Sequence, residues 1–259
     1  MLAEQRVTVT PQAAHWLNEP AAASAARLER LQAARMLKLD QIFHAAPAAV
    51  TITRRGLAAA GSTLRTPPQI DLRQYRHDVG VAWLWQAAHA GYFGTPKALV
   101  SERVMRSHDW RLDRRAANEP IERFGVGIGG VAPGGAPRRH YPDLLVDTQD
   151  GRRVAVELEL TAKSRPRTDE VMLAYASDGR VAEAAYLVPD ARLARFIRDA
   201  ADRAGIPELI SVTRLEPGGI DGAPATTTRG IASRTASRPP LTREPPQQPH
   251  QPPQQQVTR

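Results

Sequence analysis

The sequence predicts an α+β chain, or in its larger part an α/β one: a small helical module with a β-ribbon, then a mixed-sheet core, then a disordered tail. Three observations carry this. Two stretches of regular apolar spacing meet at Thr66-Pro67-Pro68, the second stretch switches between period two and helical periods, and the apolar pattern stops at Pro217. The segments are residues 1–65, 70–215 and 216–259, with a linker between Ser62 and Ile70.

In the first segment, Thr10-Pro11 offers an N-cap followed by proline at the first helical position, and Pro20 ends the short helix that runs to Asn18. A second helix is expected over Ala22–Ala34, with Ala25, Leu28, Leu31 and Ala34 facing inward and Ser24, Arg27 and Arg30 facing out. Met36–Leu39 and Ala49–Thr53 bracket a turn at Ala45–Ala48 as a two-stranded ribbon, and Thr53-Arg54-Arg55-Gly56-Leu57 leads into a last short helix. Helix, turn, helix, hairpin, helix is the order of a winged helix-turn-helix, which lays its second helix in the major groove of double-stranded DNA and its hairpin on adjacent phosphates. Ser24, Arg27, Arg30, Lys38, Arg54 and Arg55 are the expected contacts. The competing view makes these arginines the solvated face of a helical bundle or dimerisation module. Because the module starts at Met1, its usual first helix is shortened or lost, which weakens it or leaves a neighbour to complete its core.

The second segment opens with an amphipathic helix over Leu72–Ala90, marked by Val79, Ala82, Trp83 and Gln86, and a short strand over Leu99–Arg103. The glycines of Phe124–Gly130 superficially resemble a phosphate-binding loop, yet no Gly-Lys-Ser/Thr ending and no helix follow, so residues 113–138 are expected as a surface loop. Leu144-Leu145-Val146 and Val154–Leu160 then form a hairpin through the Asp150-Gly151 turn. Alternation sends Glu157 and Glu159 to one face and Val156, Leu158 and Leu160 to the other, with Asp143 at the head of the preceding strand. Carboxylates held roughly 7 Å apart on a strand repel, which calls for a cation, a basic partner or open solvent. Lys163, one of three lysines in the chain, can reach back from the strand end. A helix over Thr168–Ser177, in which Tyr175 serves packing, a strand over Ala184–Val188, a helix over Ala191–Ala204 closed by Gly205 and a strand over Leu209–Leu215 complete the core.

Composition sets the outer limits. The chain has no cysteine, which excludes disulfides, thiolate zinc sites and cysteine nucleophiles. No apolar run approaches the roughly 20 residues of a membrane span and no signal-peptide core is present, so a cytoplasmic protein without membrane contact is expected. A net charge of +8 favours an anionic partner, most often nucleic acid. The tail from Pro217 holds nine of the 22 prolines and, with five arginines against Asp221 and Glu244, +3 of that charge.

The triplet Asp143, Glu157 and Glu159 resembles the motif of the PD-(D/E)XK nuclease superfamily, and the order α-β-β-β-α-β is that of its restriction-endonuclease-like core. The resemblance implies Asp143, Glu157 and Glu159 as Mg²⁺ ligands and, together with Lys163, as catalytic residues that orient a water for attack on phosphorus. Glu159 stands where the motif has lysine, and Lys163 is the candidate replacement. Residues Ala49–Leu57, Pro142-Asp143, Val154–Lys163 and Ala185–Pro189 together are similar to the replication-relaxation family of plasmids and other mobile elements, which joins a winged helix to a nuclease-like domain. That similarity covers nearly all of residues 1–215 and implies a DNA-binding protein of plasmid replication, transfer or copy control. An active Mg²⁺-dependent endonuclease is the first alternative and a non-enzymatic protein-interaction module the second. The oligomeric state is left open, a dimer being compatible.

Overall fold

Local chemistry sets the element boundaries. In the computed structural model, which describes residues 1–114, 122–132 and 135–215, β1 (Thr8–Val9) runs directly into α1 (Thr10–Leu17). The Val9 amide donates to the Gln12 side chain at 2.9 Å, so the cap comes from inside the first turn and not from Thr10. Pro20 precedes α2 (Ala21–Ala33), and β2 (Leu37–Asp40) and β3 (Ala49–Ile52) form the expected antiparallel ribbon. β1 adds to its other edge, giving the order β1-β3-β2. Thr53 caps α3 (Arg54–Ala59) by accepting from the Gly56 amide at 3.1 Å. Gly56 is needed there: a Cβ would lie 2.0 Å from the Met36 carbonyl oxygen.

The expected inward face of α2 is half right. Leu28 is buried, but Ala25 is exposed and Ser24 is buried at 1% exposure. Ser24 therefore faces the core and is not an outer contact, because the packed stripe passes through 24 and 28, one turn apart.

The larger part begins with α4 (Tyr75–His89), three residues later than expected, with Leu72 exposed. A five-stranded mixed sheet follows in the order β10-β9-β8-β7-β4: β4 (Pro96–Ser101), β7 (Leu144–Thr148) and β8 (Arg153–Leu158) are antiparallel neighbours, while β9 (Glu183–Val188) and β10 (Ile210–Arg214) run parallel to β8. α6 (Arg165–Ser177) and α7 (Ala191–Arg203) make the crossovers. Gly151 adopts φ 84° in the β7–β8 turn, as an Asp-Gly turn requires.

Strand alternation divides the core in two. Val146, Val154, Val156, Leu158 and Leu187 pack with Leu84, Trp85 and Ala88 of α4. Leu145, Ala155, Tyr186 and Val188 pack on the opposite face with Val171, Met172 and Tyr175 of α6 and Ile197 of α7. The result is helix, sheet, helix in three layers.

Two elements depart from expectation. Residues Glu102–Asp113 form α5, begun by Ser101, whose hydroxyl accepts from the Val104 amide. The expected strand over Leu99–Arg103 therefore ends at Ser101. Within the stretch expected as a loop, Val126–Val131 and Pro137–His140 pair as the antiparallel ribbon β5–β6. The Asp109 carboxylate of α5 anchors it by accepting from the Phe124 and Gly125 amides at 3.0 and 2.9 Å. The rest of that loop expectation, and the expected disordered tail from Pro217, lie outside the described residues.

α4 serves both parts. Tyr75 and Val79 pack with Val7, Val9 and Ala49, completing the N-terminal core from across the linker. The buried Gln12 donates to the Val79 carbonyl at 2.7 Å, and Gln86 donates to the Gln12 carbonyl at 3.0 Å.

Candidate functional site

The three acids converge, but in the interior. Glu157 pairs with Tyr186 in the β8–β9 register and points to the α6 face, so α6 and the β5–β6 ribbon cover it at 4% exposure. The expected choice of open solvent does not hold. Burying a carboxylate demands partners, and Glu157 has two: the Tyr175 hydroxyl donates to Oε1, and His140 Nε2 lies against the same oxygen. Tyr175 thus packs and also binds the acid. Burial alone would raise the Glu157 pKa, but His140, and after it Lys163 and Tyr175, hold it below the usual value.

Glu159, at 7% exposure, meets the Lys163 ammonium at 2.6 Å. Lys163 does reach back from the end of β8. The two partners shift in the same direction for different reasons. Burial raises the Glu159 pKa, and Lys163 offsets this only in part because Glu157 and Asp143 add repulsion. Lys163 is pulled down by burial, but the three carboxylates outweigh that and raise it. Lys163 therefore feels all three carboxylates.

Asp143 is fixed from two sides. Its Oδ2 accepts from the Leu158 amide at 2.8 Å and lies 3.2 Å from His77 Nε2 of α4. Burial would lower the His77 pKa, yet Asp143 and Asp78 together carry it up to about 10. The adjoining cavity, between Arg6, His77, Glu102 and Arg103, has about 20 Å³, room for roughly one water.

One oxygen of each acid is engaged: Asp143 Oδ2 by the Leu158 amide, Glu157 Oε1 by Tyr175 and Glu159 Oε2 by Lys163. Among the described residues no group of three or more His, Asp or Glu is gathered to hold an ion. Lys163 at Glu159 and His77 at Asp143 are cations at these acids. His77 and His140 carry no regular signal in the sequence, although His140 stands only three residues before Asp143.

The N-terminal cations form the opposite kind of site. Arg30 of α2, Lys38 of β2 and Arg54 and Arg55 of α3 are exposed and, among the described residues, make no ion pair. The Thr53 hydroxyl donates to the Arg35 carbonyl at 2.7 Å and the Thr53 amide to the Met36 carbonyl at 3.0 Å, which joins the end of α2 to the start of α3. Arg35 is also exposed, held at φ 58° with its carbonyl on Thr53, and periodicity carries no sign of it. Arg27 is exposed but engaged: its Nε donates to Glu19 at 3.2 Å.

Among the described residues no helix is long and apolar enough to cross a membrane. Compared with known proteins, the chain matches no family model, no curated protein and no solved structure.

Proposed function

We propose that this chain is a double-stranded DNA-binding protein of plasmid or mobile-element replication, transfer or copy control, in which a winged helix-turn-helix makes the contact and a restriction-endonuclease-like core supports it. The observation that carries the proposal is the set of exposed cations Arg30, Lys38, Arg54 and Arg55, unpaired among the described residues, at the ends of α2 and α3 and on β2. Leaving that many cations without carboxylates on one small module is a surface suited to phosphates. The order β1-α1-α2-β2-β3, with β3 central, supports the winged-helix reading, and α4 takes the place of the helix that would usually precede β1. Arg30 belongs at the base edges, while Arg54 and Arg55 belong on the backbone.

The test is a duplex titration with Arg54→Ala/Arg55→Ala and, separately, Arg30→Ala. The backbone pair should weaken all sequences alike, whereas Arg30→Ala should flatten sequence preference. Unchanged binding in both variants sinks the proposal.

A second reading, Mg²⁺-dependent phosphodiester hydrolysis, rests on Lys163, whose ammonium lies 2.6 Å from Glu159 and within the field of Asp143 and Glu157. A divalent ion would have to take the place of that ammonium. Nicking of supercoiled DNA that depends on Mn²⁺ or Mg²⁺, stops with EDTA and is lost in Asp143→Asn would establish it. Nicking that persists in Asp143→Asn would dismiss it as contamination.

A further inference from the structure

A second basic surface lies on the larger part, beside α5. α5, the β5–β6 ribbon and the start of α6 enclose an open groove of about 430 Å³. Four arginines line it, Arg106, Arg138, Arg139 and Arg167, against one acid, Asp113. Each arginine is held by a carboxylate: Arg106 by Glu102 at 2.6 Å, Arg139 by Asp113 at 2.8 Å, and Arg138 and Arg167 by Glu170. Glu170 and Glu102 are not among the lining residues, and three carboxylates restrain four guanidinium groups whose side chains, Arg139 excepted, remain 35–52% exposed.

Aromatic rings interleave with these cations. Trp110 is 45% exposed, far more than a large indole needs for folding alone. Arg65 and Arg114 lie over its ring at 4.5 and 4.8 Å, and Arg106 lies over Tyr141 at 4.5 Å. Ile128 and Pro137 supply apolar wall between them. A duplex offers phosphates but hides its base faces, so it would leave these rings and the apolar wall unused. A single strand offers both phosphates and π-faces, the combination that grooves of arginine and aromatic side chains accept.

We infer that this groove binds single-stranded nucleic acid, with Arg138 and Arg167 on phosphates and bases stacked on the layers that Arg65 and Arg114 form with Trp110 and Arg106 with Tyr141. The inference stands apart from duplex binding by the N-terminal face. Its position suits a strand separated beside the core, since Tyr141 is two residues from Asp143 and the Glu102 amide of α5 donates to the Asp143 carbonyl at 3.2 Å.

The experiment is fluorescence anisotropy of the full chain with labelled oligothymidylate and oligouridylate, duplex serving as competitor. Trp110→Ala should lose on the order of tenfold affinity, the loss of one stacked base. Trp110→Phe should recover most of it. Arg138→Ala/Arg167→Ala should lower the salt slope by about 0.7 for each phosphate no longer neutralised. Arg54→Ala/Arg55→Ala should leave single-strand binding unchanged, and Trp110→Ala should leave duplex binding unchanged, so this inference and the duplex proposal fail separately. The two oligomers decide between DNA and RNA as the source of the strand, and binding of either with Trp110 dependence supports the groove. Equal single-strand affinity in wild type, Trp110→Ala and Arg138→Ala/Arg167→Ala overturns it, as does duplex that competes through Trp110 as well as a single strand does. Should Trp110→Ala not fold, the salt slope of the arginine pair decides between these outcomes.

Discussion

The acids at the end of β8 and the cations of the N-terminal module are both clusters of charge, and they are built in opposite ways. Glu157 and Glu159 are buried and each has a partner, His140 with Tyr175 for one and Lys163 for the other. Arg30, Lys38, Arg54 and Arg55 are exposed and have none among the described residues. Charge that is buried and compensated acts on stability, because losing one partner strands the other in a low dielectric. Charge that is exposed and uncompensated contributes little to stability and is free for a partner from solution. Changes in the first cluster should therefore appear in unfolding, and changes in the second in binding and its salt dependence.

The largest expected effect is on the first cluster. Glu157→Ala should cost about 3–5 kcal/mol in denaturant unfolding, since Tyr175 and His140 lose a common acceptor in the interior. Glu157→Gln should cost less, because an amide oxygen can still accept from Tyr175. A loss below about 1 kcal/mol for the alanine variant would mean the cluster is looser than its hydrogen bonds imply. Lys163→Ala should fall between the roughly 1 kcal/mol of an exposed pair and the roughly 3 kcal/mol of a buried one, as Lys163 is 44% exposed and Glu159 is not. If an added divalent ion can replace the ammonium, millimolar Mg²⁺ or Mn²⁺ should raise the Tm of Lys163→Ala more than that of the wild type. Equal shifts would remove support for the hydrolytic reading.

The next effect depends on pH. The folded-state pKa of His77 is raised from 6.5 to about 10, so its contribution to stability is fully present below pH 6.5 and fades as pH rises toward 10. Unfolding free energy should decline over that window in the wild type, and His77→Gln should flatten the decline. An unchanged profile would mean that Asp143 and Asp78 do not hold a charged imidazole.

The smallest effect concerns Ser24. Its hydroxyl is buried and, among the described residues, has no hydrogen-bond partner. Ser24→Ala should change stability by no more than about 1 kcal/mol, in the stabilising direction, and leave duplex affinity unchanged. Weakened binding in that variant would return Ser24 to the contact face.

What is legible in the sequence follows period and punctuation. The β7–β8 hairpin, β9, α7 and β10 lie within one or two residues of their expected places, because Asp150-Gly151 and Gly205 mark their ends and their apolar spacing is regular. α5 escapes such a reading because its core face is only Met105, Asp109 and Leu112, one of them an acid, in a segment otherwise charged. Ser101 followed by Glu102 is the usable signal, a cap with an acidic first turn. β5 escapes it because three glycines depress strand propensity, and Asp109, distant in sequence, holds it in place. Of the acid cluster, alternation reveals the shared face of Glu157 and Glu159, and spacing the return of Lys163. Neither reveals burial, which α6 and the ribbon impose, nor His77 and His140, which arrive from other elements.

The most direct test of the central claim is the salt dependence of duplex DNA affinity for the wild type and for Arg30→Ala/Arg54→Ala/Arg55→Ala, followed alongside thermal unfolding. The account predicts a steep log-log slope in the wild type, a slope shallower by about 0.9 for each phosphate the variant no longer neutralises, and the same Tm for both. Identical slopes, or a slope change that comes only with a fall in Tm, would contradict it.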